Sequence, residues 1–378
     1  MSRLRLARVL TILSAGAVLT AARVPLAGAW GTDGHRYIAQ NYSQHLPPGL
    51  DGLVAWDAVV IAHVMDPDNR KGSTPGEAPR HFMDIDAYPE FLAGTLSHDR
   101  ATLEAEYGAA TVSARGVLPW AVGEVTDHLT RLFQAADWDS SALVIADLCH
   151  YVGDGHQPLH CTQNYDGQFS GNNGVHARYE STMLSMFITD VHTSPAAVSF
   201  YASPVDAMFA VIGTSWGGKD TIFQGDNVAK ATSAGAFNTL YYQTLWQETQ
   251  PLTEERLGEA SRATASFVYT AWVDAGQPPV PGSTAVAPDA VAGRPELELS
   301  PNPFRDALSI RYQGPGATRI EVFDARGARV AEIGGGSASG GAATWSPRAG
   351  GSRTPAGLYF VRMSAPGIHV VRRAAYLP

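Results

Sequence analysis

His150-Tyr151-Val152-Gly153-Asp154-Gly155-His156-Gln157-Pro158-Leu159-His160, followed by His176-Ala177-Arg178-Tyr179-Glu180, is the stretch on which the reading of this chain turns. His150, Asp154, His160, His176 and Glu180 lie within about thirty residues, a density of imidazole and carboxylate that suits a metal site. An i,i+4 spacing puts His150 and Asp154 on one face of a helix, and His176 and Glu180 repeat it. Pro158 cannot continue a helix without losing a backbone hydrogen bond, so His160 is expected just past the helix end. Two helical pairs and a loop histidine can surround more than one ion, and imidazole with carboxylate suits hydrolytic zinc. His156 is expected to support the ligands or lie at the surface.

Around this run, residues from about 34 to 276 read mostly as helices. His35–Leu46 has helical apolar spacing and stops at Pro47-Pro48. Leu53–Val64, Pro119–Ala136 and Ser140–Gly153 follow, and a late helix is expected from Thr253 towards Gly276. Three further places hold candidate ligands: His35, five residues after Trp30; the acidic turn Asp66-Pro67-Asp68; and His81 in the alternating segment His81–Asp86. Taken singly, each has a plain structural explanation, as an Asx-type turn or a hydrogen-bonded histidine.

The chain has 378 residues, 45% of them hydrophobic, which suits two globular domains. Arg3, Arg5 and Arg8, the apolar Val9–Thr20 and the small residues Ala27-Gly28-Ala29 read as a secretory signal over 1–29, cleaved before Trp30. No later segment is apolar enough to span a membrane, so the mature chain is expected outside the cell or at its surface, exported through the periplasm. Removing four arginines and no acids from a chain of formal charge −9 leaves −13, which argues against broad polyanion binding. Cys149 and Cys161 flank the central run, and a disulfide between them is open.

Residues 277–294 are rich in Pro, Ala, Gly and Val and read as a linker. Beyond it the period becomes two: Leu308–Tyr312, Arg319–Phe323 and Leu358–Arg362 are expected strands, with glycine turns at 314–316, 324–327 and 334–336. A small all-β, immunoglobulin-like sandwich over 295–378 fits, beside a mainly α catalytic domain over 30–276.

The helical part resembles the superfamily that unites bacterial zinc-dependent phospholipase C with single-strand-specific zinc nucleases. The resemblance spans about Trp30 to Gly276 and is carried by the central run. It implies a helical fold and three clustered zinc ions. One ion would be held by His150, Asp154, His81 and Asp66, with Asp68 close enough to leave that last choice open. A second would be held by His160, His176 and Glu180. The third would take His35, Asp154 and the amine and carbonyl of Trp30. The ions would activate a water against a phosphodiester, and Asp66 is the candidate for orienting or deprotonating it. The His-x3-Glu pair and Leu252–Ala265 are similar to the phospholipase branch. Trp30–His35 and Gly155–His160 are more like the nuclease branch. The expected substrate leans to phospholipid, with single-stranded DNA or RNA as the alternative and a non-catalytic zinc-binding module as the reading of another class. Leu299–Phe304, Val322–Gly327 and Pro355–Arg362 resemble the type IX secretion sorting tails of exported bacterial proteins, which implies a partner in the export machinery.

Overall fold

The computed structural model describes residues 30–284, 296–313, 318–324, 328–336, 340–347, 355–365 and 368–377. The expected leader over 1–29 and much of the linker lie outside them. Residues 30–284 are mainly helical, and the described residues of 296–377 form strands, as the change of period predicts.

The helix Trp138–His156 lies at the centre of the helical part. Asp137 caps it, accepting a hydrogen bond from the Ser140 amide at 3.1 Å. The helix ends where Gln157 turns extended ahead of Pro158, and His160 falls in a 3-10 turn, Pro158–Cys161. Helices Gly31–Asn41, Asp57–His63 and Leu118–Gln134 pack around it, and Ile38, Val60, Val122, Leu129, Leu148 and Val152 are sealed between them. Gly153 and Gly155 permit two close approaches: a Cβ at 153 would stand 2.8 Å from Ile38 Cδ1 and 3.1 Å from His35 Nδ1, and one at 155 would overlap the Met208 methyl.

Four local expectations need correction. The late helix runs over Thr239–Asp274 and starts well before Thr253, with Pro251 inside it. Proline removes one backbone bond, but Leu245, Trp246 and Leu257 are buried on both sides of it, so packing carries the helix through. Pro204–Thr232 is a long helix that periodicity did not suggest. Two of its glycines fall where it meets the last helix, a Cβ on Gly218 standing 2.9 Å from Leu252 and one on Gly225 3.0 Å from Thr249. His81–Asp86, expected as a short strand or extended segment, forms no strand: His81 closes one 3-10 turn, Ala78–His81, Phe82 is extended, and a second turn spans Ile85–Ala87. Asp66-Pro67-Asp68 opens a short helix, Asp66–Arg70, with Pro67 in its first turn.

The beginning of the linker is tied to the helical part: Thr284 donates from its amide and hydroxyl to Asp51, and the Gly52 amide donates to Ser283 Oγ. The strands are β1 (Glu296–Ser300), β2 (Leu308–Gln313), β3 (Thr318–Asp324), β4 (Arg329–Gly336), β5 (Gly340–Trp345), β6 (Gly357–Ala365) and β7 (Ile368–Tyr376). They form two antiparallel sheets, ordered β1-β2-β5 and β4-β3-β6-β7. Leu308, Ile310 and Trp345 from one sheet meet Ile320, Val322, Val361 and Met363 from the other in one core, so this is a Greek-key sandwich. The glycines at 334–336, expected as a turn, extend β4 instead: Gly335 and Gly336 pair with Arg319 and Thr318 through the backbone alone.

Candidate metal centre

The chain folds three groups of possible ligands together: His35, His150 and Asp154; Asp68, His81 and His150; and His160, His176 and Glu180. Within each group the donor atoms lie within 4.8 Å of one another. His150 belongs to two groups. Its Nδ1 lies 2.8 Å from the Val64 carbonyl, which can only accept, so Nδ1 carries the proton and Nε2 presents its lone pair to the centre. His160 is oriented the same way, Nδ1 lying 2.7 Å from the His81 carbonyl while Nε2 faces His176 Nε2 at 3.1 Å. His35 stacks on His150 at 3.8 Å between ring centres, with its Nε2 3.6 Å from Asp154 Oδ1. Asp154 Oδ2 is 2.9 Å from His81 Nδ1 and 3.5 Å from His150 Nε2.

The pair His176 and Glu180 meets at 2.8 Å. Its helical stretch holds a π-turn over Arg178–Met183, a wider winding that sets how Glu180 is aimed. Gln157 Nε2 donates to the same Glu180 oxygen at 2.7 Å. Trp30 opens the helix that carries His35; its ring is fully buried, tilted against Tyr179 at 5.9 Å. Its neighbour Gly31 lies against the Glu180 segment, where a Cβ would stand 3.0 Å from the Glu180 carbonyl oxygen.

The carboxylate that meets His81 and His150 belongs to Asp68, not to Asp66. Asp68 Oδ1 is 3.4 Å from His150 Nε2 and 3.7 Å from His81 Nδ1, while Asp66 stands half-exposed and pairs with His63 at 2.7 Å. His156 points away from the centre; it is buried and its Nδ1 bonds to the Val152 carbonyl at 2.8 Å. Cys149 and Cys161 are both buried free thiols. Several neighbours of the centre lay outside the sequence reading. Lys71 Nζ is 2.5 Å from Asp68 Oδ1. Glu77 takes a short hydrogen bond from Tyr151 and faces His81 Nε2 at 3.5 Å, and Arg70 braces Glu77 and Asp147. Lys71 stands three positions after Asp68, a helical-face spacing that could have pointed to it.

The electrostatics suit cations. Burial lowers the His35 imidazole far below its ordinary value, with His150 adding to it, and burial likewise lowers His81 to about 3 and His160. These rings are therefore neutral, with lone pairs free, near pH 7. Burial drives the Asp154 carboxyl well up, and the nearby Asp68, Glu180 and Glu77 add to the rise against Lys71. Burial also works to raise Glu180, but His176 and His160 outweigh it and hold it at about 2. Both ring nitrogens of His35, Oδ1 of Asp154 and Oε1 of Glu180 are buried without a hydrogen-bond partner in the protein. Such atoms are expensive to bury unless something completes them, and imidazoles interleaved with carboxylates fit divalent zinc.

No family model matches the chain, and no curated protein matches it. Among solved structures it is similar to the alpha toxin of Clostridium absonum, at 11% identity and a TM-score of 0.42, over 92% of this chain and 96% of that one. It is also similar to the Clostridium perfringens alpha-toxin from avian strain SWCP, at 12% identity and a TM-score of 0.41, over 92% and 97%. These values are too low to transfer a residue or an activity, so the centre rests on its own geometry. No helix among the described residues is long and apolar enough to cross a membrane.

Proposed function

We propose that the helical domain is a zinc-dependent phosphodiester hydrolase. The observation that carries this reading is the nesting of three donor groups, two of them sharing His150 and all three adjoining Asp154, in a buried centre with unpartnered ligand atoms. His35, His150, Asp154 and the main chain of Trp30 would hold one ion; Asp68 and His81, with His150, a second; His160, His176 and Glu180 the third. Zinc bound there would polarise phosphate oxygens and lower the pKa of a water.

The chain's own groups supply the rest. The Val64 and His81 carbonyls lock His150 and His160 with Nε2 inward, and Gln157 holds Glu180. Asp68, at the rim, takes the water-orienting role expected of Asp66. Lys71 lines a cavity of ≈ 210 Å³ beside the centre, where its ammonium would meet a phosphoryl oxygen and stabilise charge developing on it.

Phospholipid is the first substrate class in this reading, since the same cavity is walled by Leu159, Phe82 and Ala114. A second reading, single-stranded nucleic acid, is favoured by one observation. Phe82 and Tyr165 offer aromatic faces in that cavity beside Asp84, whose carboxyl burial pushes up to about 7, so it can donate to a base edge. The domain over 30–276 would carry the chemistry, with 295–378 serving export of a secreted chain.

The test is zinc content together with turnover of phosphatidylcholine, single-stranded DNA and single-stranded RNA by the full mature chain. About three zincs per chain and hydrolysis of one substrate class are expected. Full zinc occupancy with no turnover of any diester would leave only the non-catalytic zinc module.

A further inference from the structure

A second cavity, of ≈ 390 Å³, lies between the first half of Pro204–Thr232, the middle of Thr239–Asp274 and His156 at the end of the central helix. It shares no wall residue with the cavity at the metal centre. Its volume falls in the range of small-molecule sites.

The polarity of this cavity is ordered by depth. Arg256 is 5% exposed, and its Nε is buried with no hydrogen-bond partner in the protein. Its Nη2 bonds at 2.6 Å to Glu255, whose side chain is 60% exposed, so the counter-charge stands in water while the guanidinium stays inside. A buried guanidinium with an unused donor calls for an oxyanion. Carboxylates lie towards the mouth: Asp206 is 61% exposed and Glu259 41%. Asp206 is bonded to His98 at 2.6 Å, and both bonds from Arg262 to Glu259 end on Oε2.

We propose that this cavity binds a small zwitterion, its phosphate or carboxylate on Arg256 and its ammonium head between Asp206 and Glu259. A simple anion would gain Arg256 but face the two rim carboxylates, and a simple cation would gain the rim and leave Arg256 unserved. Only a dipolar molecule satisfies both ends of the gradient. The proposal does not depend on the metal centre being catalytic.

Titration calorimetry on the zinc-loaded full chain tests it with four probes: phosphocholine, glycine betaine, inorganic phosphate and choline. The expected result is that at least one zwitterion binds more tightly than phosphate and choline, which also separates a phosphate-ended from a carboxylate-ended ligand. Arg256→Gln should weaken that binding about tenfold or more at unchanged zinc content. Asp206→Asn, on the exposed rim and safe for folding, should weaken the zwitterion about threefold and leave phosphate no weaker, since it removes a charge that repels it. The proposal is overturned if the binding that Arg256→Gln removes is as tight for phosphate as for the zwitterions, if folded Arg256→Gln retains the zwitterion's binding, or if Asp206→Asn leaves the zwitterion's affinity unchanged.

Discussion

The metal centre of the helical domain and the β-sandwich treat buried charge in opposite ways. In the sandwich, Glu321 is the one buried charged side chain among the described residues, and Arg329 and Arg362 meet its two oxygens at 2.7 and 2.6 Å. The rest of that core is hydrocarbon and aromatic rings. In the helical domain, His35, His81, His150, Asp154, His160 and Glu180 are all buried around one point, and several of their polar atoms meet no protein partner. Where the protein supplies the counter-charge itself, a buried ion serves the fold; where it gathers acceptors and withholds donors, the fold is serving a ligand.

The sharpest way to break this contrast is Asp154→Asn, which touches all three donor groups. It should remove bound zinc and lower diesterase activity by about a thousandfold or more, read by metal analysis and initial rates. Full metal content and full activity would deny Asp154 its shared role. Next in size is the comparison of Asp68→Asn with Asp66→Asn: the first should cost about a hundredfold in rate and the second little, and the reverse order would return the ligand to Asp66. Leaving one extra residue before Trp30 should reduce zinc by about one ion per chain, and an unchanged count would remove the main-chain ligand.

A smaller effect concerns Asp84. Its folded pKa, about 7, lies above the ordinary carboxyl value, so the native state holds the extra proton. The associated stability is complete below about pH 4 and is lost as pH rises through about 7. Asp84→Asn should therefore gain on the wild type between pH 5 and pH 8, by on the order of 2 kcal/mol in melting experiments. A difference independent of pH would contradict the raised value. The smallest expected effect is on hydrolysis after deletion of residues 295–378. Zinc content and turnover should stay as they are while export fails, and lost activity in a folded truncation would join the two regions functionally.

What could be read from the sequence divides along a physical line. The central helix, its end at Pro158 and the His150/Asp154 and His176/Glu180 pairs are local matters of spacing, and the structure brings those residues together. The acidic turn was not legible in the same way. Asp66 and Asp68 are two positions apart on a short helix, so they point to different faces, and only tertiary packing decides which face meets His81. The late helix is expected only from Thr253 because the sequence does not show the buried leucines and tryptophan that hold it together across Pro251. Glu77 and Arg70 act through Tyr151 and Asp147, contacts between residues 74 and 77 positions apart that no spacing announces.

The two glycines beside Asp154 have a consequence for motion. Glycine is among the weakest helix formers, about 1 kcal/mol worse than alanine at each position, so the turn around Asp154 holds its winding less by its own preference than by its neighbours. Ile38 and Met208 press on it from two sides, and ions bound to Asp154 would add a third clamp. Amide hydrogen exchange over 152–157 should thus be the most metal-sensitive in the central helix, fast in chelated protein and slow in loaded protein. The turn that lets two neighbouring helices press in is also the turn whose rigidity depends on what Asp154 holds.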